Sequence, residues 1–126
     1  MKPLWPLCLA LAAAPVLAAP QDAQMTRLAQ DSGCALCHAA RPEPRGVDSL
    51  LPSAPAWSDI AARYRGQKGV ADKLVAEVIN GIGPENRHWE YKTDLALMPE
   101  NRVTISKKDA TALIRWILRQ DAPAPR

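Results

Sequence analysis

The 126-residue sequence contains no phenylalanine, and aromatic residues make up only 5% of it. A small domain buries a modest fraction of its surface, so a large apolar cofactor would supply much of the missing core. Charge of either sign is scarce in excess: 16 Lys and Arg stand against 13 Asp and Glu, a net +3. That balance is too weak to imply a nucleic-acid partner, and no basic stripe with interleaved aromatics accompanies it. No apolar run reaches the ~20 residues that span a bilayer. Histidine occurs twice and cysteine three times. What remains, 48% apolar and 23% charged residues, is ordinary for one soluble globular domain. The twelve prolines argue for long irregular connections.

The first stretch reads as a leader. Lys2 forms a short positive n-region, residues 4–17 an apolar h-region, and Val16-Leu17-Ala18 a small-residue end suited to signal peptidase. The expected division is a cleaved signal peptide over 1–18 and one domain over 19–126, with its core at about 25–120. An uncleaved anchor competes with this reading, but the run is short and Pro6 and Pro15 interrupt it. Cleavage removes Cys8 and Lys2, leaving 15 basic against 13 acidic residues, about +2. It also implies export to the periplasm.

The mature chain then keeps two cysteines, in Cys34-Ala35-Leu36-Cys37-His38. A C-x-x-C-H run is the pattern of c-type haem attachment. Two intervening residues let one tight turn present both sulfurs to one porphyrin edge, where they form thioethers with the vinyl groups. His38 follows on the same turn as an iron ligand. Three other readings compete. A disulfide would close a tiny loop and stabilise little. A redox dithiol belongs near a βαβ pattern, which is absent. A zinc site needs about four N or S ligands, and only Cys34, Cys37, His38 and the distant His88 could serve.

In chain order, residues 20–25 read as a polar lead-in. Met25, Leu28 and Ala29 then give a short apolar helical face. Gly33 marks either close approach of a helix or haem, or a helix stop. Residues 39–55, with Pro42, Pro44, Gly46, Pro52 and Pro55, read as a long loop. A ligating histidine commonly donates its other ring N–H to a carbonyl. The Pro55 carbonyl is the candidate acceptor for His38, against the reading of a proline that merely precedes a helix. Helices follow over 57–65, with Trp57, Ile60, Ala61 and Tyr64 on one face, and over 70–80, stopped at Asn80-Gly81. Trp57 serves core, cofactor contact, or both.

Residues 81–100 are irregular and carry Met98-Pro99. Met98 is a thioether in a polar loop, a poor place for core filler and a good one for a second axial ligand. His/Met ligation raises the potential of the iron. His88 competes for that role. Trp89 is a candidate donor to a haem propionate, or simply packs. Ser106, with Asp109 three residues on, caps a final helix bearing Ala110, Leu113, Ile114 and Ile117. Residues 121–126 form a frayed tail.

Taken together, these ordered elements resemble a class I cytochrome c of the small bacterial c-551/c-552 type, from about Leu28 to Gln120. The attachment site, Ala54-Pro55-Ala56-Trp57 with its helix, Asn80-Gly81, Trp89, Met98-Pro99 and Leu113-Ile114-Arg115-Trp116-Ile117-Leu118 carry the resemblance. The sequence departs from the family pattern in Ala54, where glycine is usual, and in longer stretches before Pro55 and between Trp89 and Met98. The resemblance implies an all-α fold: four to five short helices around one covalent haem c, with the first and last helices crossing. Leu28 and Gly33 would face Ile114 and Trp116, and Asn101 would bond the Met98 sulfur. It implies a haem site of Cys34, Cys37, His38, Met98, Pro55, Trp57 and Trp89, with His38 and Met98 on the iron. It also implies a monomeric periplasmic electron carrier, not an enzyme, that meets redox-partner proteins transiently and membranes only through them. Two other functions compete: a haem subunit dedicated to one dehydrogenase or oxidase, and a peroxidase-like or gas-binding protein whose Met98 dissociates.

Overall fold

In the computed structural model, residues 18–42, 54–86, 89 and 98–121 are described. They form four α-helices: α1 (Ala18–Asp31), α2 (Trp57–Tyr64), α3 (Val70–Asn80) and α4 (Lys107–Ile117). Single 3₁₀ turns lie at Cys34–Leu36 and Pro84–Asn86. No strand occurs among the described residues, only one isolated antiparallel bridge between Ile82 and Met98. The all-α expectation therefore holds.

The centre of the fold is α4, which packs against α1, α2 and α3. Its apolar residues recur at helical spacing, and Ala110, Leu113, Ile114, Trp116 and Ile117 are all buried. Ser106 starts the helix by accepting the Asp109 N–H at 3.1 Å, while its own hydroxyl donates to Asp109 Oδ2 at 2.7 Å. Leu74, Val75 and Val78 of α3 and Trp57, Ala61 and Tyr64 of α2 bury the facing sides. Burying one such side chain contributes about 1.5–3 kcal/mol. Trp57 meets Trp116 edge-on, with ring centroids 5.3 Å apart and planes at 72°, a favoured arrangement of the ring quadrupoles.

The first and last helices are packed together as expected, but α1 begins earlier than periodicity suggests. Residues 20–24 are not a polar lead-in; they are the first turns of α1. Pro20 is tolerated in an opening turn because its missing N–H would have no helical acceptor there. Long-range contacts then hold the segment. Met25 and Ala29 are buried, and the Trp116 indole N–H donates to Asp22 Oδ1 at 2.7 Å.

Gly33 settles as a helix stop. Its φ of 76° and ψ of 0° are left-handed, and the amides of Ser32 and Gly33 fold back on Leu28 and Gln30 carbonyls, each at 3.0 Å. A Cβ there would meet only Leu36 Cδ1, at 3.9 Å. The expected pressing of Gly33 on Ile114 and Trp116 is therefore replaced by a turn beyond the helix. Leu28 does pack on the core from its edge.

Candidate functional site

The stop at Gly33 throws the chain directly into the cysteine turn. Leu36 N–H reaches Gly33 O at 3.2 Å, and Cys37 and His38 N–H reach Cys34 O at 3.3 and 3.0 Å. One tight turn thus carries both thiols and the imidazole. Neither cysteine is in a disulfide; Cys34 is half-buried and Cys37 exposed. Burial pushes the Cys34 thiol above its ordinary range, and Cys37 adds to the rise against a lowering backbone hydrogen bond. Thiol exchange is favoured by the opposite shift. Among the described residues, no group of three or more His, Cys, Asp and Glu side chains gathers as a metal cage.

The turn is fixed to the start of α2 by three bonds. His38 Nδ1 lies 2.7 Å from Pro55 O, the acceptor expected from the sequence. The first amides of α2 find carbonyls outside the helix: Trp57 N–H donates to Ala39 O at 2.9 Å and Ser58 N–H to Ala40 O at 3.3 Å. Ala56 offers no side-chain cap, so these carbonyls satisfy donors that a helix start leaves open. Burial lowers the His38 pKa, with the Pro55 bond opposing. The imidazole is then neutral at pH 7, with its Nδ1–H directed to Pro55 and the Nε2 lone pair left for a metal.

Met98 belongs to a second segment, seated on the exit of α3. Its carbonyl accepts the Ile82 N–H at 2.8 Å, and the Asn101 N–H reaches Val78 and Ile79 carbonyls at 3.2 and 3.3 Å. Asn101 does not bond the Met98 sulfur. Its amide donates to Pro99 O at 2.8 Å and Val78 O at 3.3 Å, because the turn after Met98 brings those carbonyls within its reach. Met98 and Cys34 both pack, half-buried, against the same core cluster. Trp57 lies fully within that core. Trp89 is half-buried, with the Arg63 guanidinium carbon 4.9 Å from its ring centroid, a cation–π contact. His88 and residues 43–53 lie outside the described residues.

This donor set suits a porphyrin iron. Two unbridged thiols share a turn with an imidazole whose second nitrogen is already engaged, and a soft thioether borders the same core. The sequence offered no sign of the Ala39 and Ala40 carbonyls, of Arg63 over Trp89, or of Ile82 holding Met98. Gly81 carried a signal only as a helix stop.

No protein-family model matches the chain. It is 37% identical over 97 residues to cytochrome c2 of Rhodocyclus tenuis, covering 76% of this chain and 91% of that protein. It is 37% identical over 92 residues to cytochrome c-551 of Allochromatium vinosum, covering 72% and 80%. Among solved structures, cytochrome c552 of Nitrosomonas europaea superposes with a TM-score of 0.56 at 29% identity, covering 75% of this chain and 96% of that one.

Proposed function

Since the chain belongs to the class I c-type cytochromes, which carry covalent haem c, we propose that it is a periplasmic electron shuttle with His38 and Met98 as the axial ligands. Cys34 and Cys37 form the thioether links. Residues 1–18 are the cleaved leader; no helix among the described residues is long and apolar enough to cross a membrane. When bound, the haem supplies a one-electron Fe(II)/Fe(III) couple.

The protein's own residues do the rest. The Pro55 carbonyl fixes the His38 tautomer and ring orientation and strengthens Nε2 as a donor. The α2 amides hold the chain just after His38, so the imidazole moves little between oxidation states. Met98 would supply the second ligand to the iron, leaving no position for substrate chemistry and raising its potential. Leu36 is 88% exposed beside the attachment cysteines, an apolar point suited to brief contact with a redox partner.

The observation that carries the reading is the 2.7 Å approach of His38 Nδ1 to Pro55 O on a turn that also holds two free thiols. The test is the spectrum of the exported protein. A covalent c-type pyridine haemochrome, lost in the Cys34→Ala, Cys37→Ala double variant, is expected. So are a low-spin ferric form with a far-red sulfur-to-iron band and a mature N-terminus at Ala19. A high-spin haem that binds carbon monoxide at once would replace the shuttle with a ligand-binding function.

A further inference from the structure

Gly81 stands where α3 ends and the Met98 segment crosses it. Its φ of 77° and ψ of 176° fall in a region occupied essentially by glycine alone. A Cβ there would lie 2.7 Å from Met98 O, 2.8 Å from Glu100 N and 3.0 Å from the Pro99 carbonyl carbon. All three are backbone atoms, so no side-chain rotation relieves the crowding. Gly66 and Gly69 also have positive φ, of 75° and 74°, yet a Cβ at either meets nothing within 4 Å. Among the described glycines, only at Gly81 would a Cβ meet backbone atoms; at Gly83 it would meet the flexible Glu85 side chain.

The segment on top of it is latched at both ends. Ile82 N–H holds Met98 O, and the Asn101 N–H holds the Val78 and Ile79 carbonyls. Between the latches the two backbones touch with no room for a methyl group. To move from 2.7 Å to ordinary contact at 3.4 Å, the Met98 carbonyl would have to withdraw by about 0.7 Å. A binding constellation tolerates misplacement of only about 0.5 Å.

We infer that Gly81 is a positioning residue for the distal ligand: its missing side chain sets how deeply the 98–101 segment seats on α3, and so where the Met98 sulfur stands. The inference rests on Met98 being the axial ligand. It assigns Gly81 a role beyond ending a helix, because a helix stop needs only its φ and not the contact with Met98.

The test uses the full-length haem-loaded protein and four variants: Gly81→Ala, Gly66→Ala, Ile82→Pro and Met98→Ala. Three readouts are taken: the far-red sulfur-to-iron band of the ferric form, carbon monoxide binding to the ferrous form, and the midpoint potential. Gly81→Ala is expected to lose at least half of the band, to bind carbon monoxide where the parent does not, and to shift to lower potential. Gly66→Ala adds a side chain at positive φ without touching the segment. It is expected to lose thermal stability and keep all three readouts.

Ile82→Pro reaches the same segment by another route, deleting the N–H and setting a ring methylene against the Met98 carbonyl. It decides the matter if Gly81→Ala does not accumulate. A parent-like band and inertness to carbon monoxide in Gly81→Ala, or in Ile82→Pro when that variant stands in, would overturn the inference. If the band survives in Met98→Ala, the ligand assignment itself fails, whatever Gly81 does. If Met98→Ala abolishes the band and Gly81→Ala retains it, only the positioning role fails.

Discussion

Replacing Asp22 with alanine removes the acceptor from a buried indole. Trp116 is only 5% exposed, and its Nε1–H donates to Asp22 Oδ1 at 2.7 Å. Without the carboxylate, that N–H loses its protein acceptor, and an unmet buried donor costs about 1–3 kcal/mol. Asp22 itself is exposed, so water reaches the vacated side, and the lower part of the range applies, about 1–2 kcal/mol. For a domain of this size each kcal/mol lowers Tm by about 4–8 °C, which gives a fall of roughly 4–16 °C. Thermal melts of the haem-loaded protein measure it. Trp116→Phe removes the donor and part of the ring that meets Trp57 edge-on, so it costs more by itself. The double variant separates the terms: a coupling of about 1 kcal/mol is expected for groups in direct contact. A coupling near zero, or an Asp22→Ala melt matching the parent, would mean that the first turns of α1 are not held by α4.

Other outcomes follow from single groups. Ser58 is 1% exposed, and its buried hydroxyl finds no hydrogen-bond partner among the described residues. Ser58→Ala should therefore raise stability by about 1 kcal/mol in chemical denaturation, and a loss of similar size would reveal a partner. Burial, aided by the Glu77 charge and opposed by Arg63, lifts the Tyr64 phenol above its ordinary range. A raised folded-state pKa contributes stability that is complete below about pH 10 and lost as pH climbs through the raised value. Unfolding titrations should thus show stability falling above pH 10, and Tyr64→Phe should flatten that decline. Ser106→Ala deletes the α4 cap and should cost about 1 kcal/mol, read as a shift of the denaturation midpoint at unchanged slope.

The parts of this fold that were legible in the sequence are those with local causes. Residues 70–80 form α3 with the expected bounds because an apolar face, a preceding break and Asn80-Gly81 all lie within one short window. The Ser106 cap is local in the same way, and so is the cysteine turn. The acceptor for His38 was legible at longer range because few carbonyls lie just before a helix start. What escaped were contacts between segments with no shared period. Asp22 and Trp116 are 94 residues apart, and nothing in the polar run 20–24 marks it as helical. The Ile82–Met98 pairing is a single bridge without alternation on either side. Asn101 lies three residues beyond Met98, yet its donors go to carbonyls that only the folded turn brings near.

One consequence of the central position of α4 concerns time. Of the four described helices, the one that α1, α2 and α3 all pack against is made last, and one bond of the finished core joins residues 94 apart in the chain. Earlier helices have no completed partner while synthesis continues, and contacts of such separation form late because closing the loop must precede the reward. The described core is therefore incomplete until α4 is made. On the proposed export, an incomplete core suits passage through a translocation channel and leaves Cys34, half-buried in the folded chain, within reach of the machinery that would join the cofactor. Docking of α4 then completes that core.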